Sequence, residues 1–353
     1  KIAMTYSEKI KTFEIKDKPL ILGIETSCDE TAVSLVYCGR EVLADEIISS
    51  AASHAVFGGV VPEIASRAHT TAILTATKNA LAKAGKTLSD IDSVAVTYGA
   101  GLLGALLVGV SFAKALAFSL GIPLVPVSHI RGHIAAAYLA DKTLEPPFMN
   151  ILASGGHTAL IAVEDYYKMR VLGSSLDDAA GEAFDKVARV LGLSYPGGPS
   201  VERLAREGKN VIKLPAMLSH YDGGEYDFSY SGLKTAVINY VHNAEQKGEA
   251  WKKEDVAASF QHAAIDVLVN KAMKAASVYG YKNVAVTGGV AANGYLRETL
   301  KSAAEARGIK AVIPEKRICT DNGSMIGAEG YLQYKAGNFG DLTLNASAVV
   351  PLK

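Results

Sequence analysis

One supersecondary pattern occurs twice in this chain, and the repeat limits the possible folds more than any other feature. Residues 94–101 read VAVTYGAG and residues 284–291 read VAVTGGVA; each is a β-branched strand that runs into a glycine turn and then into a long helical pattern. Each is preceded by hairpin patterning, an apolar run, a small polar turn and a second apolar run. These are LILGIETSCDETAVSLV over 20–36 and MNILASGGHTALIAV over 149–163. The order hairpin, strand, glycine loop, helix therefore recurs, as expected of a duplicated α/β chain. At 353 residues the chain also exceeds the size at which one core usually stops growing. The expected division is a polar extension over 1–19, a first lobe over 20–145 completed by 325–353, and a second lobe over 146–324. The stretch 164–282 is far longer than its counterpart in the first half, so an insertion is expected at about these residues. It holds a helical run, DDAAGEAFDKVARVLGL, a turn, YPGGPS, and the loop-rich LPAMLSHYDGGEYDFSYSGLKTAV.

Paired lobes with glycine turns imply a nucleotide site, because such turns let backbone N–H groups close on phosphates. The expected fold class is α/β, a duplicated two-lobe actin-like ATPase (ASKHA) fold. A duplicated Rossmann pair is the rival, but no GxGxxG fingerprint follows the first strand. Lys+Arg and Asp+Glu both number 36, so no global field draws in nucleic acid or a membrane, and any nucleic-acid contact must come from a local patch or a partner. Three cysteines, Cys28, Cys38 and Cys319, give neither a disulfide framework nor a zinc spacing and suit a reducing compartment. The first residues carry Glu8, Glu14 and Asp17 and lack the apolar core of a secretory signal. Residues 99–127 are apolar enough to suggest a membrane span, yet Lys114 stands at their centre and glycines interrupt both ends, so a buried helix followed by a buried strand is expected.

Chemistry gathers in a few stretches. In VSHIRGH, His129 and His133 lie four apart and share one helical face, so they can grip one ion if a third ligand arrives. Asp321, in ICTDNGS, can complete a two-histidine, one-carboxylate set, or it can simply cap the helix that follows. Ser154, Gly155, Gly156, His157 and Thr158 read equally as an anion-binding turn or an ordinary tight turn. GGVAAN, ending in Asn293, lies between a strand and a helix, where free N–H groups favour phosphate. Asp178, Glu182 and Asp185 share a face of the helix expected over 177–193, where they can hold ribose hydroxyls or merely be solvated. Asp29 and Glu30 sit in the first hairpin turn as acid–base candidates or turn caps. A zinc protease of the HExxH kind needs a glutamate base beside its histidines, and HIRGH offers an arginine and no glutamate.

GIETSCDET, GGVVPEIASRAH, GAGLLGALLVG, HIRGH, SGGHT, GEAFDKVAR, YPGG, FSYSGLKTA, GGVAANGYLR and TDNGSMIG follow one another from about Gly23 to Gly327. In that order they resemble the universal tRNA threonylcarbamoyladenosine synthesis family in its bacterial, TsaD-type branch, earlier described as O-sialoglycoprotein endopeptidases. The resemblance implies an acyltransferase that moves a threonylcarbamoyl group from threonylcarbamoyl-AMP to the adenosine 3′ of the anticodon in tRNAs reading ANN codons. It implies one divalent metal, Fe(II) or Zn(II), on His129, His133 and Asp321, with ATP, ADP or the acyl-adenylate as nucleotide ligand. Substrate contacts are implied for Ser154, Gly155, Gly156, His157, Thr158, Asp185, Gly198 and Asn293. Leu152 stands where the archaeal and eukaryotic branch has a tyrosine, which removes one possible ligand. Arg131 varies in the family and is expected to matter little. The implied partners are tRNA, a paralogous actin-like dimerisation partner meeting residues 58–85, a small P-loop ATPase, and a separate synthase supplying threonylcarbamoyl-AMP. The implied place is the cytoplasm, without membrane attachment.

Overall fold

The computed structural model describes residues 4–57, 59–215 and 224–351, so Gly58 and residues 216–223 of the quoted stretches lie outside it. The chain separates into two compact units, 1–144 with 321–353, and 145–320. In the first unit, α1 (Tyr6–Lys11) sends Tyr6 and Ile10 into the core. It is followed by β1 (Leu20–Glu25), β2 (Glu30–Tyr37), β3 (Glu41–Ser49), α2 (Ala51–His54), α3 (Pro62–Ala84), β4 (Ser93–Gly99), α4 (Leu103–Leu120), β5 (Leu124–Ser128) and α5 (His129–Ala140). The sheet order is β3-β2-β1-β4-β5, antiparallel among the first three strands and parallel from β1 through β4 to β5.

The second unit contains β6 (Phe148–Ala153), β7 (Thr158–Val163), β8 (Met169–Ser174), α6 (Ala180–Val190), α7 (Gly197–Ala205), α8 (Ser231–Lys247), α9 (Lys253–Tyr279), β9 (Asn283–Thr287), α10 (Gly294–Glu305) and β10 (Lys310–Val312). Its sheet, β10-β9-β6-β7-β8, repeats the first order and the first pattern of parallel and antiparallel pairs. The hairpin and strand similarity seen in the sequence is thus a duplicated five-stranded sheet, the actin-like arrangement. Within 164–282, β8 repeats the position of β3, and α9 precedes β9 as α3 precedes β4; α6, α7 and α8 lie between them. The helix α11 (Gly323–Lys335) returns to the first unit.

β1 is buried along its whole length because helices cover both sheet faces, and its side chains alternate between them. Leu22 and Ile24 join Ile73 and Ala76 of α3 and Val110 and Ala113 of α4. Ile21 points the other way, to Ala136 of α5 and Met325 and Ile326 of α11. Gly23 allows α11 to lie on the strand: a Cβ there would sit 2.2 Å from the Gly323 carbonyl oxygen. This close approach brings the residues just before α11 to the start of α5. α4 is long and apolar enough to cross a membrane by length and composition. It buries one face through Ala105, Leu106, Gly109 and Val110, and leaves Leu103, Leu107 and Phe118 exposed. The helix expected to be buried is therefore buried on one side only, and the strand after it, β5, is largely enclosed.

Candidate metal centre

His129 and His133 occupy the first and fifth positions of α5, where helical spacing brings their rings edge to face, 4.5 Å apart between centroids. Asp321 stands one residue before the cap of α11. The cap itself is Asn322, whose side chain accepts from the Met325 N–H. Capping therefore falls to the neighbour, and Asp321 turns toward the histidines. Its Oδ1 lies 3.2 Å from His133 Nε2 and 3.6 Å from His129 Nε2, and one ligand atom from each of the three falls within 4.8 Å of the others.

His133 is 1% exposed, and neither of its ring nitrogens makes a hydrogen bond, the 3.2 Å approach to Asp321 lacking the required geometry. An unsatisfied buried polar group costs about 1–3 kcal/mol, so the arrangement makes sense when Nε2 has a further partner. Two imidazoles and a carboxylate are a donor set that suits zinc or iron with open positions. The residues fit a divalent cation.

Burial alone would lower the His129 pKa, but the Asp321 and Glu25 carboxylates outweigh it and raise the pKa to about 9. In metal-free protein the extra proton binds the folded state more tightly than the unfolded chain, where an ordinary histidine titrates near about 6.5. The stabilisation is then complete below that value and fades as pH rises through 9. We expect an NMR titration of metal-free protein to show His129 losing its proton near pH 9, and denaturation midpoints to fall across the same window. A His129 that titrates near 6 would contradict the arrangement of charges.

The turn at Asp29 and Glu30 lies in the same unit. Ser50 donates to the Asp29 carbonyl through both its N–H and its hydroxyl at 2.9 Å, and Ser49 Oγ donates to Glu30 Oε1 at 3.2 Å. Burial, then the hydrogen bond and charge of Asp29, then the charge of Asp321 push the Glu30 pKa up to about 9. His69, fully buried on α3, straddles this turn, with Nε2 2.9 Å from the Cys28 carbonyl and Nδ1 2.7 Å from Thr31 Oγ1.

Arg131 points away from the ligand face, as about 200° of helical rotation requires. Its Nε donates to Glu329 Oε1 at 2.6 Å, and Glu329 is 0% exposed on α11. Arg131 is no ligand, and it forms a buried ion pair between the helix that bears the histidines and the helix that follows Asp321. Sequence spacing ruled it out as a ligand but could not show its partner.

The remaining candidates lie in the second unit. The turn Ser154–Thr158 closes on itself through Ser154 N–H to the His157 carbonyl at 2.8 Å and His157 N–H to Ser154 Oγ at 3.1 Å. A Cβ on Gly155 or Gly156 would meet nothing within 4 Å, and neither has a positive φ, so nothing in the unit itself demands glycine there. Thr158 Oγ1 accepts from Ala180 N–H at 2.8 Å, at the start of α6. That helix begins at Ala180, so Asp178 lies off it and pairs instead with Lys186 and Lys234 at 2.6 and 3.0 Å. The expected three-carboxylate face is reduced to Glu182 and Asp185. Asp185 Oδ1 accepts from Gly197 N–H at 2.7 Å, at the N-terminus of α7 beside Gly198. Burial raises the Asp185 pKa against the lowering effect of the Gly197 and Gly198 N–H groups. Asn293 caps α10 through Leu296 N–H at 3.0 Å and donates to Gln261 Oε1 at 2.8 Å. Gly288, with φ +91° and the Ala153 carbonyl oxygen 2.4 Å from where a Cβ would sit, is a position only glycine fills.

Sequence reasoning missed Glu25, which ends β1 beside His129 and accepts from the Ser27 N–H and the Thr97 hydroxyl, and it missed the Ser27 hydroxyl beside His129 Nδ1. A carboxylate closing the apolar run LILGIE was the available signal.

A duplicated actin-like fold with a two-histidine, one-carboxylate cluster defines the class. Two solved structures share the fold. HypF in its phosphate- and nucleotide-bound form gives a TM-score of 0.60 at 16% identity over 92% of this chain and 47% of that one. The (R)-2-hydroxyglutaryl-CoA dehydratase component A of Acidaminococcus fermentans gives 0.51 at 17% over 91% and 99%. At these identities the likeness concerns the fold alone. The chain belongs to the tRNA N6-adenosine threonylcarbamoyltransferase family, TsaD, whose profile matches residues 41–328. Curated relatives of that name include those of Clostridium perfringens, 51% identical over 94% of this chain and 97% of the relative, and Moorella thermoacetica, 52% identical over 96% and 99%.

Proposed function

We propose that this chain transfers the threonylcarbamoyl group of threonylcarbamoyl-AMP to the exocyclic amine of the adenosine 3′ of the anticodon in tRNAs reading ANN codons. The amine nitrogen attacks the carbamoyl carbon, a C–N bond forms, the C–O bond to phosphate breaks, and AMP leaves with the electron pair while the amine loses a proton. The observation that carries this reading is His133, buried and without a hydrogen bond beside Asp321, in a chain half identical to named transferases.

His129, His133 and Asp321 would hold one divalent cation, Fe(II) or Zn(II). When bound, the cation supplies positive charge for the phosphate oxygens of the acyl-adenylate. Backbone N–H groups of Gly155 and Gly156 would share charge developing on oxygen, which their open surroundings permit. Asp185, held by the Gly197 and Gly198 N–H groups, would take ribose hydroxyls on its remaining lone pairs. Gly198 and Asn293 would border the adenine, Asn293 through its backbone or its remaining amide hydrogen. Asp29, Glu30 or groups of the substrate itself are the candidates for accepting the amine proton. A protease reading finds no support, because HIRGH has no glutamate beside its histidines to act as a base, and its one other charged residue, Arg131, is paired with Glu329.

Asp185→Asn should weaken nucleotide binding by about 1.5–3 kcal/mol, the scale of a hydrogen bond to a charged group. Asp178→Asn, which disturbs only Lys186 and Lys234, should cost far less. Calorimetric titration with ATP measures both, and equal affinities would remove Asp185 from the site.

The partners we propose are a paralogous actin-like chain and a small P-loop ATPase, with threonylcarbamoyl-AMP coming from a separate synthase and the reaction placed in the cytoplasm. Exposed Leu74 on α3 and Leu103, Leu107 and Phe118 on α4 support a protein partner on these helices. The balanced charge supports weak binding of tRNA by this chain alone. In an assay with labelled threonine, bicarbonate, ATP, synthase and tRNA, multiple turnover should require the partners. Sustained turnover from this chain and the acyl-adenylate alone would defeat the partner proposal, and none with every component present would defeat the function.

A further inference from the structure

Glu25 is a carboxylate at the end of a buried strand, 0% exposed, and the acyl-transfer reading gives it no part. Three groups meet its two oxygens. Ser27 N–H donates to Oε1 at 2.5 Å, Thr97 Oγ1 donates to Oε2 at 2.7 Å, and His129 Nδ1 lies 3.0 Å from Oε2. The Ser27 hydroxyl lies 3.1 Å from the same Nδ1. An ionised carboxylate only accepts, so Nδ1 must carry the hydrogen, and Ser27 Oγ is at most a second acceptor for it. The neutral imidazole then has its lone pair on Nε2. That lone pair faces Asp321 Oδ1 at 3.6 Å, an arrangement of two acceptors that repels unless a positive charge lies between them. His133, by contrast, has no hydrogen bond to orient it, and packing alone sets its ring.

We propose that Glu25 is a positioning residue: it fixes His129 in the Nδ1–H tautomer and thereby decides which nitrogen is offered beside Asp321 and His133. Carboxylates behind metal-bound histidines commonly do this, and losing one typically weakens metal binding about 10–100-fold. The proposal rests on the metal reading above but makes a claim that metal-free protein can test. Glutamine cannot replace Glu25 faithfully. Its amide must turn a donor either toward Ser27 N–H, where a donor already points, or toward the Thr97 hydroxyl and His129 Nδ1, where it favours the other tautomer.

The test uses the full chain. Long-range 1H–15N spectra of metal-free wild type, above the pH at which His129 loses its second proton, should show hydrogen on Nδ1. Hydrogen on Nε2 overturns the proposal without any variant. Glu25→Gln should shift His129 toward the Nε2–H form and weaken zinc binding, read by chelator competition, about 10–100-fold. Thr97→Val keeps the carboxylate and should change zinc affinity by only a few-fold, which guards against a Glu25→Gln chain that does not fold. Wild type that binds zinc no better than the triad variant His133→Leu defeats the metal reading, while the tautomer result still decides the role of Glu25. Wild type and a folded Glu25→Gln that bind zinc equally defeat the role of Glu25 alone.

Discussion

His133→Leu should lose the metal and the transfer activity together while making the metal-free protein more stable. Both effects come from one observation, a fully enclosed imidazole whose nitrogens make no hydrogen bond. Leucine fills a similar volume without polar atoms, so it relieves a desolvation cost of about 1–3 kcal/mol. It also removes one of three donor atoms, and metal affinity should fall by more than the roughly 10–100-fold that loss of a supporting residue causes. Elemental analysis and urea denaturation in excess chelator give the two readings. A His133→Leu protein that keeps its metal and loses stability would make His133 a structural residue. Asp321→Ala should likewise lose the metal and the activity while the fold persists, because Asn322 rather than Asp321 caps α11.

Arg131→Ala should destabilise the fold by about 3–5 kcal/mol, the usual cost of leaving one charge of a buried pair without its partner. Glu329 would keep only Gln333 Nε2 as a donor, at 2.6 Å, and burial already holds its carboxyl above the usual range. The double variant Arg131→Met with Glu329→Met should recover most of the loss, because two apolar side chains of similar length leave no buried charge. Denaturant unfolding in chelator separates this from metal effects. A single-variant loss under about 1 kcal/mol, the range of an exposed pair, would show that the two charges are hydrated in solution.

The duplication was legible because a strand that runs into a glycine turn leaves the same signature wherever it occurs, as in 94–101 and 284–291. The third strand of each sheet was not. β3 is an edge strand with several exposed residues and β8 carries Arg170 and a half-exposed Val171, so neither shows the buried apolar run that marks β1 and β6. The histidine pair could be read from helical spacing alone, because i and i+4 share a face in any helix. Asp321 needed the structure to separate ligand from cap, since Asp and Asn stand side by side and either residue type caps a helix. Asp178 was assigned to a helix it does not join. Thr158, distant in sequence, supplies the acceptor that starts α6 at Ala180, and no local pattern reveals such a partner. Glu25 and Glu329 escaped for a related reason: each is a lone carboxylate in apolar surroundings, and its meaning lies in a residue from another element.

Asp321 and α11 belong to the first unit but follow the whole of the second along the chain. On a ribosome, β1 through α5 emerge with Gly23 facing no helix and with both histidines still awaiting their carboxylate. The first unit cannot finish covering that face of its sheet until residues 145–320 have been made and α11 has come back across it. A chain interrupted between His133 and Asp321 carries both histidines without the carboxylate that stands beside them in the finished fold.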